Sequence, residues 1–144
     1  MRHNDDVMAD IVLDIVRLAN LLERLGGQYA KNGGLSSVYQ YMLLAMLSFH
    51  ESLSMRELRE NTLVTKQAIT GLVERMKKTG HIDTYTDPND RRVTRVYITA
   101  LGKQTLEDIR PYRKAGNREA FSVLNEEEMT QLATILPKLI DHLK

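Results

Sequence analysis

There is no cysteine among the 144 residues. Disulfides, thiolate nucleophiles and thiol-based redox sensing are therefore excluded. No run of 18 apolar residues and no signal-peptide pattern is present, so a cytoplasmic protein without a membrane partner is expected. The four histidines (His3, His50, His81, His142) are scattered, and no metal-binding spacing joins them. Phosphate-cradling glycine loops are missing too, because Gly26-Gly27 and Gly33-Gly34 fall at the end of a helical pattern and not after a strand. No Ser/His/Asp set can be nominated from spacing. Neither a catalytic residue, a metal nor a cofactor is assigned, and enzyme activity is disfavoured.

What is present is an ordinary soluble composition, 42% apolar and 27% charged, in a chain of single-domain length. The net charge of +1 says nothing about partners, but its distribution does. Ser54 to Lys103 holds ten Lys/Arg and six Asp/Glu, a balance of +4, against −3 for the remainder. That places the positive half where contact with phosphate would need it, although a mixed solvated surface gives the same count.

The basic half is organised around Thr65–Arg95. Ile69, Leu72, Val73 and Met76 form one helical stripe. Lys66, Gln67, Thr70, Gly71, Glu74 and Lys78 form the opposite face. Thr65 is the expected N-cap and Gly80 the expected stop. A strand follows from His81, with Ile82 pointing inward. Asp87-Pro88-Asn89-Asp90 then suits a reverse turn, and Arg91 and Arg92 follow at the hairpin tip. In the second strand Val96 and Ile98 alternate with Arg95 and Tyr97. Upstream, Ser54 and Glu57 form a capping box that opens a short helix ending near Asn61-Thr62. The short turn from there to Thr65 makes a helix-turn-helix. Alone, that unit could be a corner with no DNA role; the cationic hairpin behind it favours DNA. A major groove admits such a helix, and a minor groove attracts arginine.

Long helical patterns flank this unit. Residues 5–31 carry an apolar seam at Ile11, Ile15, Leu18, Leu22 and Leu25, with Gly26-Gly27 expected to weaken its end and Asn32-Gly33-Gly34 to stop it. Residues 36–49 read as a central buried helix, with a Ser37/Gln40 capping box and apolar residues through to Phe49. After Thr99 a helix runs toward Phe121, with Pro111 and Gly116 expected to kink or loosen it. Asn125 and Glu128 box the last helix, and Leu124 can staple to Met129. Leu132, Leu136, Leu139 and Leu143 line that helix, and Pro137 is expected to kink it. Apolar seams at both ends of the chain point to a symmetric dimer built from the terminal helices.

The segments SMRELRENTLVTKQAITGLVERMKKTGHI, DPNDRR at 87–92 and ITALGKQTLE resemble the winged helix-turn-helix of MarR-type transcriptional regulators, and the likeness continues through the flanking helices. It implies a mainly α fold with a small β-hairpin wing, in which helices at 5–34 and 104–144 form a dimerisation region and residues 35–103 a DNA-binding lobe. It implies a homodimer that binds double-stranded DNA at a pseudo-palindromic operator, most often as a repressor, and that a small organic effector releases. Lys66, Gln67 and Thr70 face base edges, Gln67 suiting adenine and Lys66 guanine. Ser54, Thr65, Arg75 and Lys78 suit backbone phosphates. Arg92 best matches the family's wing arginine, with Asp90 orienting it and Arg91 as second choice. Gly71 and Thr84 depart from the pattern, since many relatives carry arginine there. Tyr39, Tyr41 and His50 fall near the region where relatives bind effectors, although core packing is the better explanation for the tyrosines. A helical protein-interaction module without specific DNA binding is the rival reading.

Overall fold

The computed structural model describes residues 3–144, which fall into two compact units divided between Arg113 and Lys114. The first opens with α1 (Asn4–Asn32), whose Asp5 and Asp6 complement the positive end of the helix. The helix does not weaken at Gly26-Gly27. Gly26 is buried, and a Cβ there would collide with the Val38 side chain, so the glycine lets the next helix pack closely. The helix stops at Asn32-Gly33-Gly34 as expected, with Gly34 at φ 80° and the amides of Gly34 and Leu35 bonding back to the carbonyls of Lys31 and Ala30.

Helix α2 (Val38–Leu47) is shorter than the 36–49 pattern suggests. Leu43, Leu44 and Leu47 are fully buried, but the chain turns at Ser48 and leaves Phe49 84% exposed. The Ser37/Gln40 box forms by half. The Ser37 hydroxyl accepts from the Gln40 amide at 3.4 Å, while Gln40 Oε1 accepts from the Ser36 amide at 2.9 Å and not from that of Ser37.

A two-residue strand, β1 (Leu53–Ser54), leads into α3 (Met55–Glu60) and α4 (Lys66–Lys78). The hairpin consists of β2 (Ile82–Thr86) and β3 (Thr94–Ile98), paired from Ile82↔Ile98 to Thr86↔Thr94. β1 joins the other edge of β3 through Leu53↔Val96 and Ser54↔Arg95, giving an antiparallel sheet in the order β1-β3-β2. The sequence gives no sign of β1, because its two residues become a strand only by pairing with β3.

Helix α5 (Ala100–Phe121) runs unbroken through Pro111 and Gly116. Its first half closes the core of the first unit. Gly102 lies so close to the His81 carbonyl and the Ile98 side chain that a Cβ would not fit, and Ile109 packs on Gly33. Leu43, Leu44, Leu47, Leu58, Ile69, Met76, Ile82, Val96 and Ile109 are its largest fully buried side chains. This core also takes in Ala30 of α1, so it crosses positions 34 and 103.

The second unit contains α6 (Glu126–Leu143), where Asn125 and Glu128 form a reciprocal capping box with bonds of 2.8 and 3.1 Å. The helix runs unbroken through Pro137, and none of its residues is buried.

Candidate nucleic-acid interface

Local rules build the exposed face of α4. Ile69, Leu72, Val73 and Met76 turn inward, which leaves Lys66, Gln67, Thr70, Arg75 and Lys78 in solvent. Thr65 caps the helix, its hydroxyl accepting from the Ala68 amide at 3.3 Å. Among the described residues, the side chains of Lys66, Gln67, Thr70, Arg75 and Lys78 have no hydrogen bond or ion pair within the chain. Five donors thus stand unengaged along about three turns of helix. Arg75 folds back over Gly71: a Cβ at Gly71 would stand 3.3 Å from Nη1 of Arg75. Long helical side chains lean toward the N-terminus in this way.

The hairpin tip is held by its own acids. Asp87 accepts from the Asn89 amide at 2.8 Å, and the Val93 amide donates to the Asp90 carbonyl at 2.9 Å. The Asp90 carboxylate accepts from the Arg92 amide and Nε through one oxygen, at 3.1 and 3.0 Å, and from Nη2 through the other at 3.1 Å. These bonds from Arg92 hold the Asp90 carboxyl below its ordinary pKa and hold the guanidinium on above its own. The fork fixes the root of a side chain that is otherwise 90% exposed. Arg91 beside it is exposed as well.

Ser54 is nearly buried, and its hydroxyl is engaged locally. It is 8% exposed, and its Oγ accepts from the Glu57 amide at 3.0 Å as the cap of α3. Ser54 still lines a cleft of about 420 Å³ there, with Met55, Arg56, Arg59, Arg92, Val93 and Thr94, and Arg56 and Arg59 are its exposed cations on α3. Neither arginine is among the DNA contacts expected from the sequence, although their spacing of three on a capped helix places them on one face.

Two further ties join the hairpin to the helices. Lys77 Nζ donates to Thr84 Oγ1 at 2.7 Å. Arg95 reaches Ser52 and Glu57, partners about forty residues earlier that no local pattern reveals.

The suggested effector residues do not converge. Tyr39 lines a cavity of about 740 Å³ beside the start of α4, with Leu63, Leu72 and Arg75. Tyr41 lines another, of about 480 Å³ between α2 and α5, with Ala45, Phe49, Lys103, Leu106 and Arg110. Arg113 Nη1 donates to the Tyr41 hydroxyl there at 3.1 Å. His50 belongs to neither lining.

A profile of the MarR family matches residues 34–93, from the end of α1 through the hairpin tip. The HTH-type transcriptional repressor MdtR of Bacillus subtilis is 31% identical over 139 residues, covering 96% of this chain and 89% of that protein. This chain belongs to the MarR family. The transcriptional activatory protein BadR of Rhodopseudomonas palustris is 28% identical over 134 residues, covering 90% of this chain and 76% of its own. Among solved structures, a MarR-like transcription regulator from Bacillus cereus superposes with a TM-score of 0.80 at 26% identity, covering 94% of this chain and 97% of that one. A MarR family regulator from Streptomyces coelicolor, solved in complex with DNA, has the same fold, with a TM-score of 0.85 at 22% identity over 100% of this chain and 94% of that one.

Both of these relatives, MdtR and BadR, are transcriptional regulators. The fold is the mainly helical winged helix-turn-helix of the family, with β2–β3 as the wing. No described helix is long and apolar enough to cross a membrane. At the two positions where the resemblance leads one to look for arginine, a cation arrives from α4 instead: Arg75 over Gly71 and Lys77 at Thr84.

Proposed function

We propose that this MarR regulator is a homodimeric, sequence-specific binder of double-stranded DNA that acts as a repressor. The observation that carries the reading is the unengaged polar face of α4 beside a wing arginine whose root is clamped by Asp90. Lys66, Gln67 and Thr70 would face base edges. Thr65, Arg75, Lys78 and Arg91 would meet phosphates, and Arg92 would enter the minor groove. Ser54 would act through the cap it gives α3. The repressor assignment leans on MdtR, the relative at 31% identity.

Residues 35–103 serve as the DNA-binding lobe, and 5–34 with 104–144 as the dimerisation region. Supporting this, α1 leaves Val7, Ile11, Val12, Ile15, Val16 and Leu18 at 41–60% exposure, and α6 leaves Leu136, Leu139, Ile140 and Leu143 uncovered. A second copy of the chain would cover both faces. The α2–α5 cavity is of a size for a small organic effector, and Lys103, Arg110 and Arg113, offset in part by Glu107 beside Arg110, favour an anionic one.

The test is selection of duplexes from a random pool, followed by binding measured over a range of salt. Enrichment of an inverted repeat with half-sites about one helical turn apart is expected. Arg92→Ala should weaken binding to the selected duplex roughly tenfold and shallow its salt dependence while leaving the fold intact. Failure to enrich any sequence at low salt would contradict the reading and favour a protein-interaction module.

A further inference from the structure

The wing is supported unevenly. Its inner half is cored, with Ile82, Val96 and Ile98 buried beneath the sheet. Its outer half is not: Thr86, Arg91, Arg92 and Thr94 are exposed, and Tyr85 is 43% exposed. The third strand ends at the same boundary, because the last residue of β1, Ser54, pairs with Arg95. Beyond Arg95 the hairpin is a bare two-stranded ribbon, an arrangement marginal in water without further support.

Arg95 stands at this boundary. Its guanidinium donates through Nε to Ser52 Oγ at 3.0 Å, through Nη2 to the Ser52 carbonyl at 3.1 Å and through Nη1 to Glu57 Oε1 at 3.3 Å. The Tyr85 hydroxyl on β2 lies 3.2 Å from the same Ser52 Oγ, so both strands of the wing converge on Ser52. Glu57 Oε1 is also the oxygen that accepts from the Ser54 amide at 3.0 Å to complete the cap of α3. One carboxylate therefore joins the wing to the first helix of the helix-turn-helix. Side-chain exposure of Arg95 is 24%, so the fork is partly shielded from solvent.

We propose that Arg95 is a positioning residue for DNA binding. It touches no DNA, and it locks the outer wing to the N-terminus of α3 so that Arg92, three residues away, is held in register with the α4 reading face. The inference rests on the DNA-binding reading above for its functional half, and on the Ser52–Glu57–Tyr85 network for its structural half.

The test uses the full chain and two readouts. Arg95→Met keeps the aliphatic stem and removes the fork; Arg95→Lys keeps the charge but cannot span Ser52 and Glu57 together. In hydrogen exchange without DNA, Arg95→Met should speed exchange of the wing amides, Tyr85 to Val96, roughly tenfold, while α4 amides keep their protection. On the selected duplex, Arg95→Met should weaken binding roughly fivefold, and Arg95→Lys should recover only part of that loss. Combined with Arg92→Ala, Arg95→Met should cost little more than Arg92→Ala alone, because both act through the wing. Combined with Lys66→Ala, its loss should multiply, because that contact lies on α4. Unchanged wing exchange would overturn the clamp itself. A loss that multiplies with Arg92→Ala as it does with Lys66→Ala would overturn the positioning role. If the unaltered chain bound no duplex, the DNA-binding reading would fall and the positioning role with it, whereas the exchange result would still decide the clamp.

Discussion

At the scale of single residues, carboxylates do much of the positioning. Asp90 fixes the root of Arg92, and Glu57 serves α3 and the wing at once. The Ser54 amide, ahead of the Arg95 charge, holds the Glu57 carboxyl below its ordinary pKa of 4.5. A carboxylate depressed on folding adds stability that is whole above pH 4.5 and disappears as pH falls through the lower folded value. Glu57→Gln should therefore melt below the unaltered protein at neutral pH, and the gap should close as the solution is acidified below 4.5. A gap of constant size down to strong acid would contradict this account of the cap. Which residues face outward was legible at this scale, since the inward stripe of α4 assigned Lys66, Gln67 and Thr70 to the outer face. The burial of Ser54 and the reach of Arg95 were not legible, because both depend on β1 meeting β3.

Elements were legible where their ends carry their own chemistry. Thr65, Ser54 and Asn125 mark three helix starts through side-chain oxygens that bond the amide three residues on. Gly80, at φ 85°, marks the end of α4 through a backbone conformation that disfavours other residues. Elements were misread where apolarity continued past the end of a helix. Phe49 extends the hydrophobic run of α2 but lies beyond its last turn, in solvent. Gly26 was misread in the other direction. Helix-breaking propensity gave way to packing, since a glycine worth about 1 kcal/mol in lost helix propensity is retained where Val38 needs the space. Gly26→Ala tests this reading. Propensity alone predicts a more stable helix, whereas the contact with Val38 predicts a loss of about 1–3 kcal/mol by thermal or urea unfolding.

At the scale of the whole molecule, the proposed dimer rests on the apolar faces of the terminal helices. Residues of α1 from Val7 to Leu21 expose a broad apolar surface that no part of the first unit covers. The terminal seams were visible in the sequence as heptad-like spacing; their exposure in the folded chain was not, because spacing cannot say whether a seam faces a core or a second copy. Ile15→Asp, at the centre of the α1 face, should turn a dimer into a monomer and abolish tight DNA binding without disturbing α4 or the wing. The most direct measurement is the mass of the complex between the unaltered protein and the selected duplex, by sedimentation or light scattering over a range of salt. The prediction is two chains per duplex, dissociating as salt rises. One chain per duplex, or no complex at low salt, would contradict the account.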